Sequence, residues 1–351
     1  MWYETILEKN LVPDPLLRFG MRRMLGEKLR KESAGGIELQ QARLSQLIQG
    51  LKNSPIAINT ADANTQHYEV PAEFFELVLG KYLKYSGCYW TEGIQGLDEA
   101  EKAMLDLYCE RAKIVDGQDI LELGCGWGSL SLYLAERFPA CRILGVSNSS
   151  VQRQFIQKRM EARKIKNLEI LTADMNVFET PRRFDRVVSI EMFEHMRNYE
   201  KLFEKVSGWM KPEAFLFIHV FSHGRFAYPY ETKDKGNWMA RYFFTGGMMP
   251  SDELFLFFQK DLKIRDRWRV DGTHYQKTSE AWLSKMDANR EKIMAIFKQT
   301  YGEKEALKWW VYWRVFFMAC AECFGFSGGQ EWLVSHYLFE KKAGSGQNGR
   351  E

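Results

Sequence analysis

Two carboxylates and an imidazole fall together in Ser189-Ile-Glu-Met-Phe-Glu-His195. If the chain turns helically after Ile190, Glu191 and Glu194 lie three apart and His195 lies four from Glu191, so one cavity can receive all three. Burial and mutual repulsion would push such carboxylates toward protonation, which suits them to hold a cation or to take up a proton. Glu191, Glu194 and His195 are therefore the candidate catalytic residues, in preference to a surface carboxylate pair. A second stretch, Phe217-Ile-His-Val-Phe-Ser-His223, places His219 inside an apolar run, where a satisfied core histidine and a ligand fit equally well. His223, Tyr228 and Tyr230 follow on a loop expected to line the same pocket, so His219, His223 and Tyr228 are candidate substrate contacts.

A third stretch organises the rest. In Asp119-Ile-Leu-Glu-Leu-Gly-Cys-Gly-Trp-Gly-Ser129 a short apolar strand breaks into a glycine turn, and a helix follows over 130–138. Without Cβ atoms the backbone N–H groups of such a turn can approach a ligand closely. The spacing Gly124-x-Gly126-x-Gly128 is not the Gly-x-Gly-x-x-Gly of dinucleotide sites. It suits a ligand with an amino-acid tail and a nucleoside, and it looks like the cofactor loop of the S-adenosylmethionine-dependent methyltransferases.

The elements that must position these residues alternate strand and helix, the pattern of a parallel α/β sheet. Strands are expected over 119–123, 142–146, 168–172, 185–190 and 214–220, with helices over 129–138, 150–164 and 197–210. Two further strands over 262–270 and 332–339 complete a seven-stranded, Rossmann-like methyltransferase sheet. Ligands of such sheets sit beyond the carboxyl ends of the strands. That rule selects Asn148 after the second strand for the ribose, Asp174 and Met175 after the third for the adenine, and Ile190 at the end of the fourth.

Before the sheet come an amphipathic basic helix over 14–31, a second helix carrying Leu44, Leu47, Ile48 and Leu51, and helices near 72–79 and 97–112. The first two are expected to fold over the core and help to close the site, in preference to forming a membrane-surface arm. Residues 1–115 thus form an N-terminal helical region and 116–270 the cofactor-binding core. A helical cap over 271–328 carries Trp282, Trp309, Trp310, Trp313, Phe316, Phe317 and Phe324, of which Trp313, Phe316 and Phe317 are candidate substrate contacts. The final core strand occupies 329–342, and 343–351 is a flexible tail by composition.

The 351 residues carry 49 basic and 46 acidic side chains, a balance that argues against a nucleic-acid partner. No basic segment followed by an apolar run opens the chain, and no run reaches a membrane-spanning length, so a cytoplasmic protein is expected. Six scattered cysteines fit reduced thiols, and Cys320-Ala-Glu-Cys323 lacks the second pair that a metal site would need, so no metal is expected. A homodimer is compatible with these features. Aromatic residues make up 14%, many of them outside the cofactor region, as a roomy apolar cap requires.

Assembled, these motifs resemble the cyclopropane-fatty-acid synthase superfamily, and within it the coclaurine N-methyltransferase type. The likeness runs from Tyr68-Glu-Val-Pro through Ser86-Gly-Cys-Tyr, Leu97-Asp-Glu-Ala-Glu, the glycine turn and Glu191-Met-Phe-Glu-His-Met196 to Gly328-Gly-Gln-Glu-Trp-Leu-Val-Ser-His-Tyr-Leu-Phe339. By that resemblance S-adenosyl-L-methionine is the cofactor, contacted by Tyr68, Ser86, Gly124, Gly126, Asn148, Gln152 and Asp174. The resemblance further implies N-methylation of a small, aromatic or alkaloid-like amine, with Glu191 drawing the amine in and His195, assisted by Glu194, taking its proton. The lipid branch is the alternative. There a Glu, a Cys and a His matching Glu194, Cys88 and His219 hold a bicarbonate base, but its Tyr is replaced in Val315-Phe-Phe317, and a second carboxylate such as Glu191 favours the amine branch.

Overall fold

The computed structural model describes residues 6–58, 70–230 and 238–342; Tyr68 and the 343–351 tail lie outside them. The sheet is formed by β1 (Asp119–Leu123), β2 (Arg142–Ser147), β3 (Leu168–Thr172), β4 (Phe184–Ile190), β5 (Met210–His223), β6 (Leu262–Val270) and β7 (Trp332–Lys341). Their order is β3-β2-β1-β4-β5-β7-β6. The first five strands pair in parallel, whereas β7 runs antiparallel to both β5 and β6.

Burial explains the sequence patterns. β1 is buried from Ile120 to Leu123 and, after Asp119, is apolar apart from Glu122. The edge strand β6 instead alternates, with Lys263, Arg265, Arg267 and Arg269 along it, a charged edge that discourages further strand pairing. β1 and β4 sit at the centre, and the order reverses beside β1, so the loops after β1 and β4 open into one crevice.

Helices α1 (Asp14–Ser33), α2 (Gly36–Lys52), α3 (Ala72–Val78) and α4 (Leu97–Arg111) precede the sheet. α5 (Ser129–Arg137), α6 (Ser150–Arg163) and α7 (Tyr199–Trp209) are its crossovers, and α8 (Gly272–Ala288), α9 (Arg290–Tyr301) and α10 (Ala306–Gly325) form the cap between β6 and β7. The N-terminal helices do lie over the protein. Arg18 of α1 forms ion pairs with Glu280 of α8 and Glu322 of α10, and Arg314 of α10 clamps Asp14 and Asp287. α2 is tied to α7 by Lys52–Glu200 and by the Asn198 amide on the carbonyls of Lys52 and Ser54.

One part of the roof carries no periodic signal. After β5 the chain forms a two-residue ribbon, Tyr228–Pro229 against Met248–Met249, and a short helix, Trp238–Tyr242, before reaching β6. These pieces are too short to show a hydrophobic repeat, so sequence reasoning folded them into the core region. In space they close over the crevice beside the cap. Among the described residues, no helix is long and apolar enough to cross a membrane.

Candidate active site

A single cavity of about 290 Å³ runs from the glycine turn after β1 to the aromatic roof. At its first end, Gly124 and Cys125 donate their N–H groups to the Val146 carbonyl at 2.9 and 3.0 Å, which fastens the turn to β2. Gly124 has φ of 80°, and a Cβ there would meet Met192 at 2.8 Å, so the position tolerates only glycine. Gly126 differs. Its φ is 52°, yet a Cβ would meet nothing within 4 Å, because the position faces the open cavity. Beside it the buried Ser129 hydroxyl, which lines the cavity, has no hydrogen-bond partner. An exposed backbone turn and an orphaned hydroxyl are features a bound polar ligand would complete, and they fit S-adenosylmethionine.

Ser86, Asn148, Gln152, Asp174, Met175 and Ile190 line this same end, so the described cofactor candidates assemble in one place. Several of them also bond within the protein. Asp174 accepts the Asn176 N–H at 2.8 Å, closing the loop after β3, and buried Gln152 accepts the Ser147 hydroxyl at 2.7 Å. Ser86 rides on the segment before α4, which the Glu101 carboxylate pins by accepting the N–H groups of Gly80, Tyr82 and Lys84.

Glu122, on β1 below the turn, was not singled out by pattern. Its carboxylate accepts the Ser131 hydroxyl, and burial pushes its pKa up to about 7. Because the folded value lies above the unfolded one, its contribution to stability is complete below about pH 4.5 and is lost as the pH rises through about 7. Glu122→Gln is therefore expected to remove up to about 3 kcal/mol of the fall in unfolding free energy between these limits, read by denaturant melts of wild type and variant at pH 5 and 8. Equal pH slopes in the two proteins would refute that ionisation.

At the reacting end, Glu191 directly follows β4 in the left-handed region, φ 48°, which turns its side chain into the crevice. Its Oε1 accepts the Gly87 N–H at 3.0 Å and faces His219 Nε2 at 3.1 Å, while Oε2 accepts the Tyr275 hydroxyl at 2.8 Å. Burial raises the Glu191 pKa, opposed by Lys84 and by these donors. Lys84 is itself buried and donates to the Ser86 hydroxyl at 2.6 Å and to the Gly87 carbonyl at 2.5 Å. Desolvation lowers its pKa, yet of the groups around Glu191 it is the one that most opposes the rise of that carboxyl's pKa.

Glu194 and His195 part company. His195 lines the cavity with its ring 4.6 Å from that of Phe244, but Glu194 turns inward, where it is fully buried and accepts the Phe221 N–H at 2.8 Å. Its other oxygen has no partner, and burial together with Glu191 drives its pKa well above the usual carboxylate range. The turn Phe193–His195 is a 3-10 helix, in which neighbouring side chains point 120° apart. The expectation that all three residues reach the cavity therefore holds for Glu191 and His195 and not for Glu194.

The candidate substrate contacts divide similarly. Phe316 lines the cavity, whereas His219, His223, Tyr228, Trp313 and Phe317 do not. His219 is wholly buried behind Glu191; His223 accepts the N–H groups of Arg225 and Phe226; and the Tyr228 hydroxyl accepts from the Trp332 indole. Trp313 and Phe317 pack into the cap core, since they lie on the faces of α10 turned toward α8 and α3. The actual roof consists of Phe221, Tyr230, Phe244, Trp282, Phe316 and Phe324. Tyr275, stacked on Phe324 at 4.2 Å, supplies the hydroxyl on Glu191. A helical repeat identifies α8 and α10 but not which face meets the crevice, and for Lys84 the signal available was only a lysine in an otherwise apolar segment.

Comparison with known proteins adds a family. Residues 57–329 match the model of the mycolic acid cyclopropane synthetase family. The chain is 41% identical over 340 residues to (S)-coclaurine N-methyltransferase of Thalictrum flavum subsp. glaucum, covering 96% of this chain and 94% of that protein. It is 37% identical over 339 residues to pavine N-methyltransferase of the same plant, covering 96% and 95%. A crystal structure of coclaurine N-methyltransferase bound to N-methylheliamine and SAH superimposes with a TM-score of 0.93 at 40% identity, covering 97% of this chain and 99% of that one.

Proposed function

The chain belongs to the mycolic acid cyclopropane synthetase family and is an S-adenosylmethionine-dependent methyltransferase, and from that premise we propose that it methylates the nitrogen of a small, aromatic, alkaloid-like amine. One observation carries the reading. Glu191 presents a desolvated carboxylate to the cavity under a roof of aromatic rings, a combination that attracts an organic ammonium through charge pairing and cation–π contact. The N-methyltransferase relatives support the same class of acceptor.

When bound, S-adenosylmethionine supplies an electrophilic methyl group on a sulfonium sulfur. The 124–128 turn, Ser86, Asn148, Gln152, Asp174 and Met175 would hold it, with Glu122 beneath as the nearest carboxylate on β1. Glu191 draws in and orients the ammonium. An ammonium has no lone pair, so a base must take its proton, and His195, on the wall of the same cavity, fills the role. Glu194, from behind the wall, holds the 3-10 turn to β5 and so positions His195. The closed aromatic roof excludes water and keeps the reactants aligned.

Against the lipid-modifying alternative stands the placement of its base site. Neither Cys88 nor His219 lines the cavity, burial pushes the Cys88 thiol up to about 12, and the His219 ring nitrogens are already engaged. The direct test offers S-adenosylmethionine with benzylisoquinolines and phenethylamines in one reaction and with unsaturated phospholipid vesicles in another. Gain of one methyl group on an amine is the expected result. Gain of one methylene on lipid, with no amine product, would overturn the proposal.

A further inference from the structure

We propose that Arg111 and His336 fix the direction of a hydrogen-bond chain running Arg111 to His336 to His219 to Glu191, and that this direction holds Glu191 in its ionised, amine-binding form. The inference rests on the amine-binding role given to Glu191 above and adds two positioning residues to it, neither of which reaches the cavity.

The chain crosses the sheet. His219 of β5 and His336 of β7 are direct register partners, both wholly buried, with their rings 4.8 Å apart. Arg111, the last residue of α4, stands at the outer end with its guanidinium 5.0 Å from the Trp268 ring of β6. The links measure 2.6 Å from Arg111 to His336 Nδ1, 2.9 Å from His336 Nε2 to His219 Nδ1, and 3.1 Å from His219 Nε2 to Glu191 Oε1.

A guanidinium has donors and no acceptor. His336 Nδ1 must therefore accept, which puts the His336 proton on Nε2. That N–H donates to His219 Nδ1, so the His219 proton in turn sits on Nε2 and points at Glu191. The Tyr108 hydroxyl lies 2.9 Å from the same His219 Nδ1, beside the single lone pair that the His336 N–H takes up. Burial holds both imidazoles well below their usual pKa, which keeps each at a single proton and makes the assignment unique. The reverse chain, with a protonated Glu191 donating to His219, would bring a His336 N–H against the Arg111 N–H. Arg111 thus opposes protonation of Glu191 from a distance, with Lys84, Cys88, Tyr108, Glu194, Tyr275 and Cys320 as the other titratable groups around that carboxylate.

The same geometry excludes His219 as the base. Its nitrogen facing Glu191 already carries the proton, and the lone pair of its other nitrogen is taken up by the His336 N–H.

The test is the pH profile of kcat/KM for the amine. In Arg111→Met and His336→Leu the reversed chain is no longer opposed, so the acidic limb should move up by about one pH unit, while S-adenosylmethionine binding stays at the wild-type value. His336→Gln should keep the wild-type limb, because its carbonyl can accept from Arg111 and its amide can donate to His219. Glu191→Gln runs beside them: weakened amine binding in Glu191→Gln with an unmoved limb in the other two overturns the chain and leaves the amine reading standing, whereas unchanged amine binding in Glu191→Gln overturns the reading itself. Should the variants not fold, nitrogen NMR of imidazole-labelled wild-type enzyme decides. Nε2–H tautomers at both His219 and His336 are expected, and an Nδ1–H tautomer at either one refutes the proposal.

Discussion

Glu191→Gln is expected to lower kcat/KM for the amine by on the order of 10²-fold, chiefly through KM, with little change in S-adenosylmethionine binding. The side chain keeps its volume, so the crevice should hold its shape. What disappears is the charge that three donors, the Gly87 N–H, the Tyr275 hydroxyl and His219, are arranged to support. In the variant an ammonium entering under the aromatic roof would be desolvated without a counter-ion, and losing one partner of a buried, hydrogen-bonded charge pair costs about 2–5 kcal/mol. The uncharged form of the amine would suffer less, so the deficit should narrow as the pH rises toward the amine's own pKa. Steady-state kinetics across that range, with calorimetric titration of the cofactor, would measure both effects. An unchanged KM at every pH would remove Glu191 from amine binding.

Most of the seven strands were legible in the sequence as short apolar runs bounded by a helix or turn signal, and the edge strand by its alternation; β1, β3 and β6 fall where the pattern places them. β5 extends beyond the expected 214–220 to Met210–His223; Lys211 and Glu213 interrupt the apolar run where the pairing with β4 shifts register before resuming at Phe215. At the cofactor end the residues follow strand ends, so one topological rule finds Asn148, Asp174, Met175 and Ile190 together. The reacting end obeys no such rule. His219 and His336 are far apart in sequence and meet only because β7 pairs antiparallel with β5, a register set by the whole sheet. Glu194 and His195 are neighbours in sequence and separate only because the turn is a 3-10 helix. In each case the deciding variable is a direction in space, which residue spacing leaves open.

His195→Ala is expected to lower kcat by about 10²–10³-fold while changing the amine KM only a few-fold, the inverse of the Glu191 pattern. The two residues border the same cavity but meet different demands: Glu191 stabilises the bound cation, whereas His195 is needed only as the proton leaves. Without the imidazole the reaction should draw on amine that is already unprotonated, so the rate should climb with pH. Glu194→Gln supplies the contrast. Burial and Glu191 push the Glu194 carboxyl well above the usual range, which disfavours its charged form, and Gln keeps a carbonyl that can still accept the Phe221 N–H. Its kcat should therefore remain within about tenfold of wild type, as expected for a residue that positions a turn rather than sharing a charge with the base. A collapse in Glu194→Gln equal to that in His195→Ala would show instead that the carboxylate and the imidazole act as one ionised pair, and the 3-10 turn would then have to rearrange when the amine binds.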